Sequence, residues 1–285
     1  PSYGEDTLVS TDMLLEGIHF LRTKASPEDI GWKAAAVNLS DIAAMGGVPT
    51  ATFLSMALPA DAQGEWAERF IVGYAEISRL YNVPLLGGDT TSSLRDIAIN
   101  VGVKGRCPQG KAIGRNGAKV GETIFVTGPL GDSGAGLKAI LEQLPSTPLV
   151  DHLIGKHLRP TPRLAEGVTL RQTERVGAMM DISDGIASDL RHILRCSGVG
   201  ATIELSSLPL SEELRQMCSL HDWDPTDLAL TAGEDYELLL TGPANLPELV
   251  EFPLHPIGTI TEDRELIWLR NGAKVRYNKK GFSHF

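Results

Sequence analysis

SPEDIGWKAAAVNLSDIAAMGGVPTATFLSMAL, residues 26–58, contains one complete helix signal followed by one strand signal, and the rest of the chain repeats that alternation. Ser26 is a residue type that accepts the first free N–H groups of a helix, Pro27 suits the first helical position, and Glu28 and Asp29 put negative charge at the helix's positive end. Gly46-Gly47 stops the helix, and Ala51–Leu58 is apolar and strand-like. A second helix is predicted from about Gln63 to Tyr81, where Trp66, Phe70, Val72, Ile77 and Leu80 fall at roughly the spacing of one buried face. Further apolar, β-rich segments are Thr7–Thr11, Val83–Leu86, Ile97–Val103, Thr123–Thr127, Val176–Met180, Ala201–Leu205, Tyr236–Thr241 and Leu266–Leu269. Strands alternating with helices predict an α/β or α+β protein.

A chain of 285 residues accommodates two domains, each with its own core. The predicted boundary is KAIGRNGAKVG, Lys111–Gly121, a polar, glycine-bearing stretch between two strand series, which divides the chain into 1–118 and 119–285. LPSTP (144–148) reads as a connection within the second half, and there is no repeat at a fixed period. Apolar residues make up 42% and charged residues 22%, with no apolar run near the ~20 residues of a membrane span and no leading signal segment, so a cytoplasmic protein is expected. Cys107, Cys196 and Cys218 show no CxxC or Cys/His spacing and are expected to be buried or inert thiols. A net charge of −10 argues against nucleic acid or anionic membranes as partners. A phosphate-bearing ligand must therefore bring, or meet, metal cations.

Acids follow the apolar runs in four places: Ser10-Thr11-Asp12, Gly87-Gly88-Asp89, Asp181-Ile182-Ser183-Asp184-Gly185 and Gly233-Glu234-Asp235. Strand ends open onto a common crevice in many α/β folds, so acids there are able to converge, and Mg²⁺ is bound by a few carboxylates with waters and substrate phosphates. Each acid also has a plainer reading, which the spacing leaves open. Asp12 fits a turn, Asp89 fits a tight turn after two glycines, and Ser183 or Asp184 fits the cap of a helix starting near Ile186. Asp41 differs, because it lies within the first helix, one turn from Asn38 and on a face with Ala34 and Met45. Turned partly inward, it needs a partner, and a metal is a suitable one. The loop GPLGDSGAG (128–136) follows a strand and opens a helix, so it reads either as an anion cradle or as a turn with a cap; it is neither a P-loop nor GxGxxG. The seven histidines form no Ser–His–Asp or Cys–His arrangement, and His19 reads as a hydrogen-bonding residue. The residues by themselves indicate a Mg²⁺-assisted site for an anionic, phosphorylated ligand.

STDMLLEGIHF (10–20), WKAAAVNLSDIAAMGGVP (32–49), PLLGGDTT (84–91), GDSGAGL (131–137), HLRPTPR (157–163), DISDGIASDL (181–190) and AGEDYELL (232–239) resemble, in order, segments of the thiamine-monophosphate kinase family. That family lies in the superfamily of ATP-utilising enzymes that includes aminoimidazole ribonucleotide synthetase. The similarity continues to GFSHF at 281–285. It implies an N-terminal α/β domain that dimerises through its sheet, a C-terminal α+β domain, and an active site in the cleft between them. Carried over by position, Ser10, Thr11, Asp12, Asp41, Asp89, Asp181 and Asp184 are expected to bind Mg²⁺, with Gly88, Asp89, Arg115 and Ser183 near ATP and His19, Glu234 and Phe282 contacting thiamine monophosphate. The family pattern also has a Gly-Asp-Asp motif ahead of the segment matching Thr7–Asp12, upstream of Pro1; it supplies a metal ligand there, so the set of ligands in this sequence is expected to be short of one. The implied reaction is direct, in-line transfer of the ATP γ-phosphoryl to thiamine monophosphate, with no phosphoenzyme. The alternatives are another ATP-utilising member of the superfamily, or a nucleotide- and metal-binding module without catalysis.

Overall fold

The computed structural model describes residues 4–277. Its first sheet comprises β1 (Glu5–Leu15), β2 (Val48–Leu58), β3 (Leu85–Ser92) and β4 (Ala98–Pro108), in the order β1-β4-β2-β3. β4 pairs antiparallel with β1 and β2, whereas β2 and β3 are parallel. That parallel pair needs a crossover, which α2 (Glu65–Leu80) supplies. α1 (Pro27–Ala44) starts where the sequence signals it: Ser26 Oγ accepts the Asp29 N–H at 3.1 Å, and Pro27 is the first helical residue.

α1 is buried on almost every side because it lies between the two domains. One flank meets Leu8, Leu14, Leu54, Met56, Ile99 and Val101 of the first sheet, and the same core continues into Met179, Leu238 and Leu240 of the second. Its contact with α2 is close enough to require glycine. A Cβ on Gly73 would stand 1.8 Å from the Glu28 carbonyl oxygen, and one on Gly31 2.1 Å from that of Phe70. The other face of the first sheet carries exposed Val9, Met13 and Phe53.

The second sheet has seven strands: β5 (Thr123–Val126), β6 (Met179–Asp181), β7 (Gly200–Glu204), β8 (Leu238–Gly242), β9 (His255–Thr261), β10 (Leu266–Arg270) and β11 (Ala273–Val275). Their order is β11-β10-β7-β9-β5-β8-β6. α3 (Asp132–Glu142), α4 (Pro148–Leu158), α5 (Leu164–Gln172), α6 (Ile186–Ser197), α7 (Glu212–His221) and α8 (Pro225–Thr231) complete this half. Ile186, Leu190 and Ile193 of α6 pack with Ile124, Ile203 and Leu239 in a second core, and α3, α4 and α7 share a third.

Several sequence expectations shift. The predicted strand Val83–Leu86 begins at Leu85 and continues through the two glycines to Ser92. β9 and β11 were not anticipated, since HPIGTIT and AKV lack a clean apolar run. Cys107 and Cys218 are buried as expected, but Cys196 is exposed. Among the described residues no helix is long and apolar enough to cross a membrane.

Candidate active site

Three elements meet at the last turns of α1. Asn38 Oδ1 accepts the backbone N–H of Asp12 in β1 at 3.2 Å, and Ser10 Oγ of the same strand donates to Asp41 at 2.5 Å. On the other side, Ser40 Oγ donates to Asp181, the last residue of β6, at 2.5 Å. The helix thus ties the two sheets together and holds Asp12, Asp41 and Asp181 within electrostatic reach of one another. Burial, then the charges of Asp41 and Asp181, push the Asp12 carboxyl up to about 7. Asp181 rises to about 6 through burial and the Asp41 charge, against the Ser40 hydrogen bond and the Arg115 guanidinium. Asp41 is also raised by burial, opposed by Ser10 and Arg115.

Burial of all three, with the Asp41 charge acting on Asp12 and Asp181, crowds carboxylates whose hard oxygens fit a divalent cation such as Mg²⁺. Among the described residues no three His, Cys, Asp or Glu side chains close on one point as a complete cage. An ion that keeps waters and substrate phosphates in its shell requires no such cage.

The segment 181–185 is held from below. α6 has Gly185 at its N-cap and no side-chain cap, whereas Asp189 Oδ2 accepts the N–H groups of Ser183 and Asp184 at 3.1 and 3.0 Å. Ser183 and Asp184 are therefore not caps, and both line a pocket of about 640 Å³. Its wall includes Asp12, His19, Lys33, His157 and Glu234, with an apolar side that draws on Leu137, Ile140 and Leu141 of α3. Glu234 and Tyr236 have φ of 55° and 51°, a conformation costly outside glycine, and are kept there by Glu234 N–H to Ser183 O at 2.8 Å and Tyr236 N–H to Ile182 O at 3.0 Å. Burial pushes the Glu234 carboxyl up, but Lys33 and His157 outweigh it and hold the group below its usual value. His19 Nδ1 accepts the Leu15 N–H at 3.0 Å, which fixes its ring in the pocket wall.

Other expected site residues lie elsewhere. Asp12 and Asp89 are inside strands rather than at strand ends or in turns. Asp12 pairs with Val101, Val101 with Leu54 and Leu54 with Gly88, so Asp89 is three strands away, about 14 Å at ~4.8 Å per strand. One chain does not bring Asp89 to the Asp12 cluster. Thr11 also departs, because strand alternation turns it to the exposed sheet face, where its Oγ1 accepts from Asn100 at 2.9 Å. Asp89, paired with Ser55, lies on that same face. Gly88 is required by close approach, since a Cβ would stand 1.7 Å from the Leu54 carbonyl oxygen. The 128–136 loop is filled by the protein itself: Asp235 accepts the N–H groups of Gly131 and Ser133 at 2.8 and 3.2 Å. Phe282 lies outside the described residues.

Sequence reading missed Ser40, Lys33 and His157. Lys33 had a signal, a lone cation in an alanine-rich helix that proves to be buried. His157 had none, because its partners are over 20 residues distant.

Two domains, a shared helix and an acid cluster beside a pocket define a class, and its family models match the chain in two parts. Residues 2–107 match "AIR synthase related protein, N-terminal domain" and residues 119–268 "AIR synthase related protein, C-terminal domain". Thiamine-monophosphate kinase of Escherichia coli strain K12 is 40% identical over 292 residues, covering 97% of this chain and 86% of that protein. The enzyme of the same name from Salmonella typhimurium is 39% identical over 291 residues, with coverage of 97% and 86%. A solved structure described as AaThiL complexed with AMPPCP and TMP superposes with a TM-score of 0.90 at 38% identity, covering 99% of this chain and 88% of that one. The chain belongs to the thiamine-monophosphate kinase family within the AIR synthase related proteins.

Proposed function

We propose that the chain is an ATP:thiamine-phosphate phosphotransferase that moves the γ-phosphoryl group of ATP onto the phosphate of thiamine monophosphate, giving thiamine diphosphate and ADP. The observation that carries this reading is the Asp12–Asp41–Asp181 cluster beside a pocket walled by His19 and Glu234. The acceptor phosphate is ionised near neutral pH, its second pKa being about 6, so no strong general base is needed. Two anions must be brought together instead. Mg²⁺ supplies charge neutralisation and in-line alignment of the phosphates. Asp12, Asp41, Asp181 and Asp184, with Ser10 oriented on Asp41, are the residues to hold it. Arg115, whose charge reaches Asp41 and Asp181, and Ser183 take ATP, while Glu234, His19 and Phe282 take the thiamine portion.

The N-terminal domain is residues 1–118 and the C-terminal domain 119–285. The working form is a homodimer in which a second copy covers the outer face of the first sheet and brings its own Gly88-Asp89 and Thr11 toward the ATP and metal site. Exposed Val9, Met13 and Phe53, and Asp89 standing far from its own Asp12, support that arrangement. A cytoplasmic location accords with ATP as co-substrate.

The test is to supply γ-labelled ATP, Mg²⁺ and thiamine monophosphate and to follow the label. Thiamine diphosphate carrying the label, dependence on Mg²⁺, and no label on the protein when the acceptor is omitted are expected. ADP release only with a different acceptor would reassign the substrate. A competent labelled protein would overturn direct transfer.

A further inference from the structure

Glu234 is anchored by two well-buried neighbours in the pocket wall. Lys33 Nζ lies 2.8 Å from its Oε1 and His157 Nδ1 3.3 Å from its Oε2. The anchoring side chains are 4% and 6% exposed, whereas that of Glu234 is 25% exposed and lines the pocket. A carboxylate has about four acceptor positions, so two are used by Lys33 and His157 and the others remain for the cavity. Lys33 also meets His157 Nε2 at 3.5 Å. An ammonium only donates, so Nε2 accepts, and a neutral ring then carries its proton on Nδ1, facing Glu234. Burial and the Lys33 charge keep the ring neutral, moving its pKa down to about 3. Ser133 Oγ, 3.1 Å from Nδ1, steadies the ring from α3.

We propose that Lys33 is a positioning residue for substrate selection: it fixes the charge, and through His157 the direction, of Glu234, so that the carboxylate meets a cationic or N–H-donating heterocycle in the pocket. Lys33 Nζ faces Glu234 and His157, and the contact assigned to the heterocycle's cationic or N–H-donating edge is the Glu234 carboxylate. The inference rests on the assignment of thiamine monophosphate, whose thiazolium is cationic and whose aminopyrimidine donates N–H. The same wall without Lys33 would hold a half-buried acid short of its main partner, free to protonate or turn away.

The experiment is a double-mutant cycle read by calorimetric binding of thiamine monophosphate to the full chain with Mg²⁺ and a non-hydrolysable ATP analogue, and by steady-state KM and kcat. Lys33→Met is expected to weaken thiamine monophosphate about tenfold or more, raising KM more than it lowers kcat, with affinity for the ATP analogue unchanged. In a Glu234→Gln background the same substitution is expected to add almost nothing. Losses that multiply across the two variants would overturn the proposal, because Lys33 would then act on the substrate directly. An unchanged affinity in Lys33→Met would overturn it as well. Lys33→Gln, which keeps a donor, replaces Lys33→Met in the cycle if the latter does not fold. Wild-type protein that binds the ATP analogue but no thiamine monophosphate would refute the substrate assignment itself, a result distinct from either failure of the cycle.

Discussion

Asp181 shows how one residue serves both chemistry and a cost to the fold. Its carboxyl, 4% exposed, holds its proton to about 6 against an ordinary 3.8, chiefly through burial and then the Asp41 charge. The folded chain therefore binds more protons than the unfolded chain between those pH values, and stability falls as pH rises through that window. Above about 6 the full cost is present. Asp181→Asn in metal-free buffer is expected to raise the melting temperature by roughly 2–5 °C at pH 8 and by little at pH 4, where the native acid keeps its proton. The same variant is expected to lower kinase turnover about 100-fold or more, because a metal oxygen is lost. Thermal scans at both pH values and initial rates check this; full activity would remove Asp181 from the metal site. The acids themselves were legible in the sequence. Ser40, which orients Asp181 from 141 positions away, was not, since nothing local marks a serine whose partner is so distant.

Among the elements, α1 does the most, and its packing sets the tolerances around it. Gly73 lets α2 approach until a Cβ would overlap the Glu28 carbonyl at 1.8 Å, so Gly73→Ala must push the helices apart and is expected to cost about 1–3 kcal/mol. Gly155 provides the contrast within α4, since a Cβ there meets nothing within 4 Å and its φ is not positive. Gly155→Ala is expected to stabilise by about 0.5–1 kcal/mol through helix propensity. Urea unfolding of both variants separates the cases, and a stabilised Gly73→Ala would show that the crossing is looser than described. The boundaries of α1 were legible because Ser26, Pro27 and the glycine pair act locally. β3 was misread because two glycines signal a turn in isolation, whereas pairing with β2 extends them.

At the scale of the whole molecule, the first sheet has one face on α1 and α2 and the other bare. Val9 is 71%, Met13 54% and Phe53 45% exposed on that bare face. A second copy placed there would bury them and supply the Asp89 that one chain holds about 14 Å from its cluster. Sedimentation at micromolar concentration is expected to give a dimer, and Val9→Glu with Met13→Glu a monomer with at least about tenfold lower activity. A wild-type monomer with full turnover would rule out completion of the site by a partner.

The sequence by itself determined the alternation of strand and helix, the start and stop of α1, and the oxygen-rich character of the chemistry, because caps, periodicity and residue type act over a few positions. Its motif order also carried the family. Tertiary structure decided which of those oxygens meet. Ser10, Asp12, Asp41 and Asp181 share one place because α1 is clamped between β1 and β6, while alternation turns Thr11 away and three strand spacings separate Asp89. It also filled the 128–136 loop with Asp235 and set Lys33 and His157 beside Glu234. Those outcomes depend on contacts between residues far apart along the chain, 26 positions for Asp12 and Asn38 and 141 for Ser40 and Asp181, and a spacing read along the chain holds no information about distance across a fold.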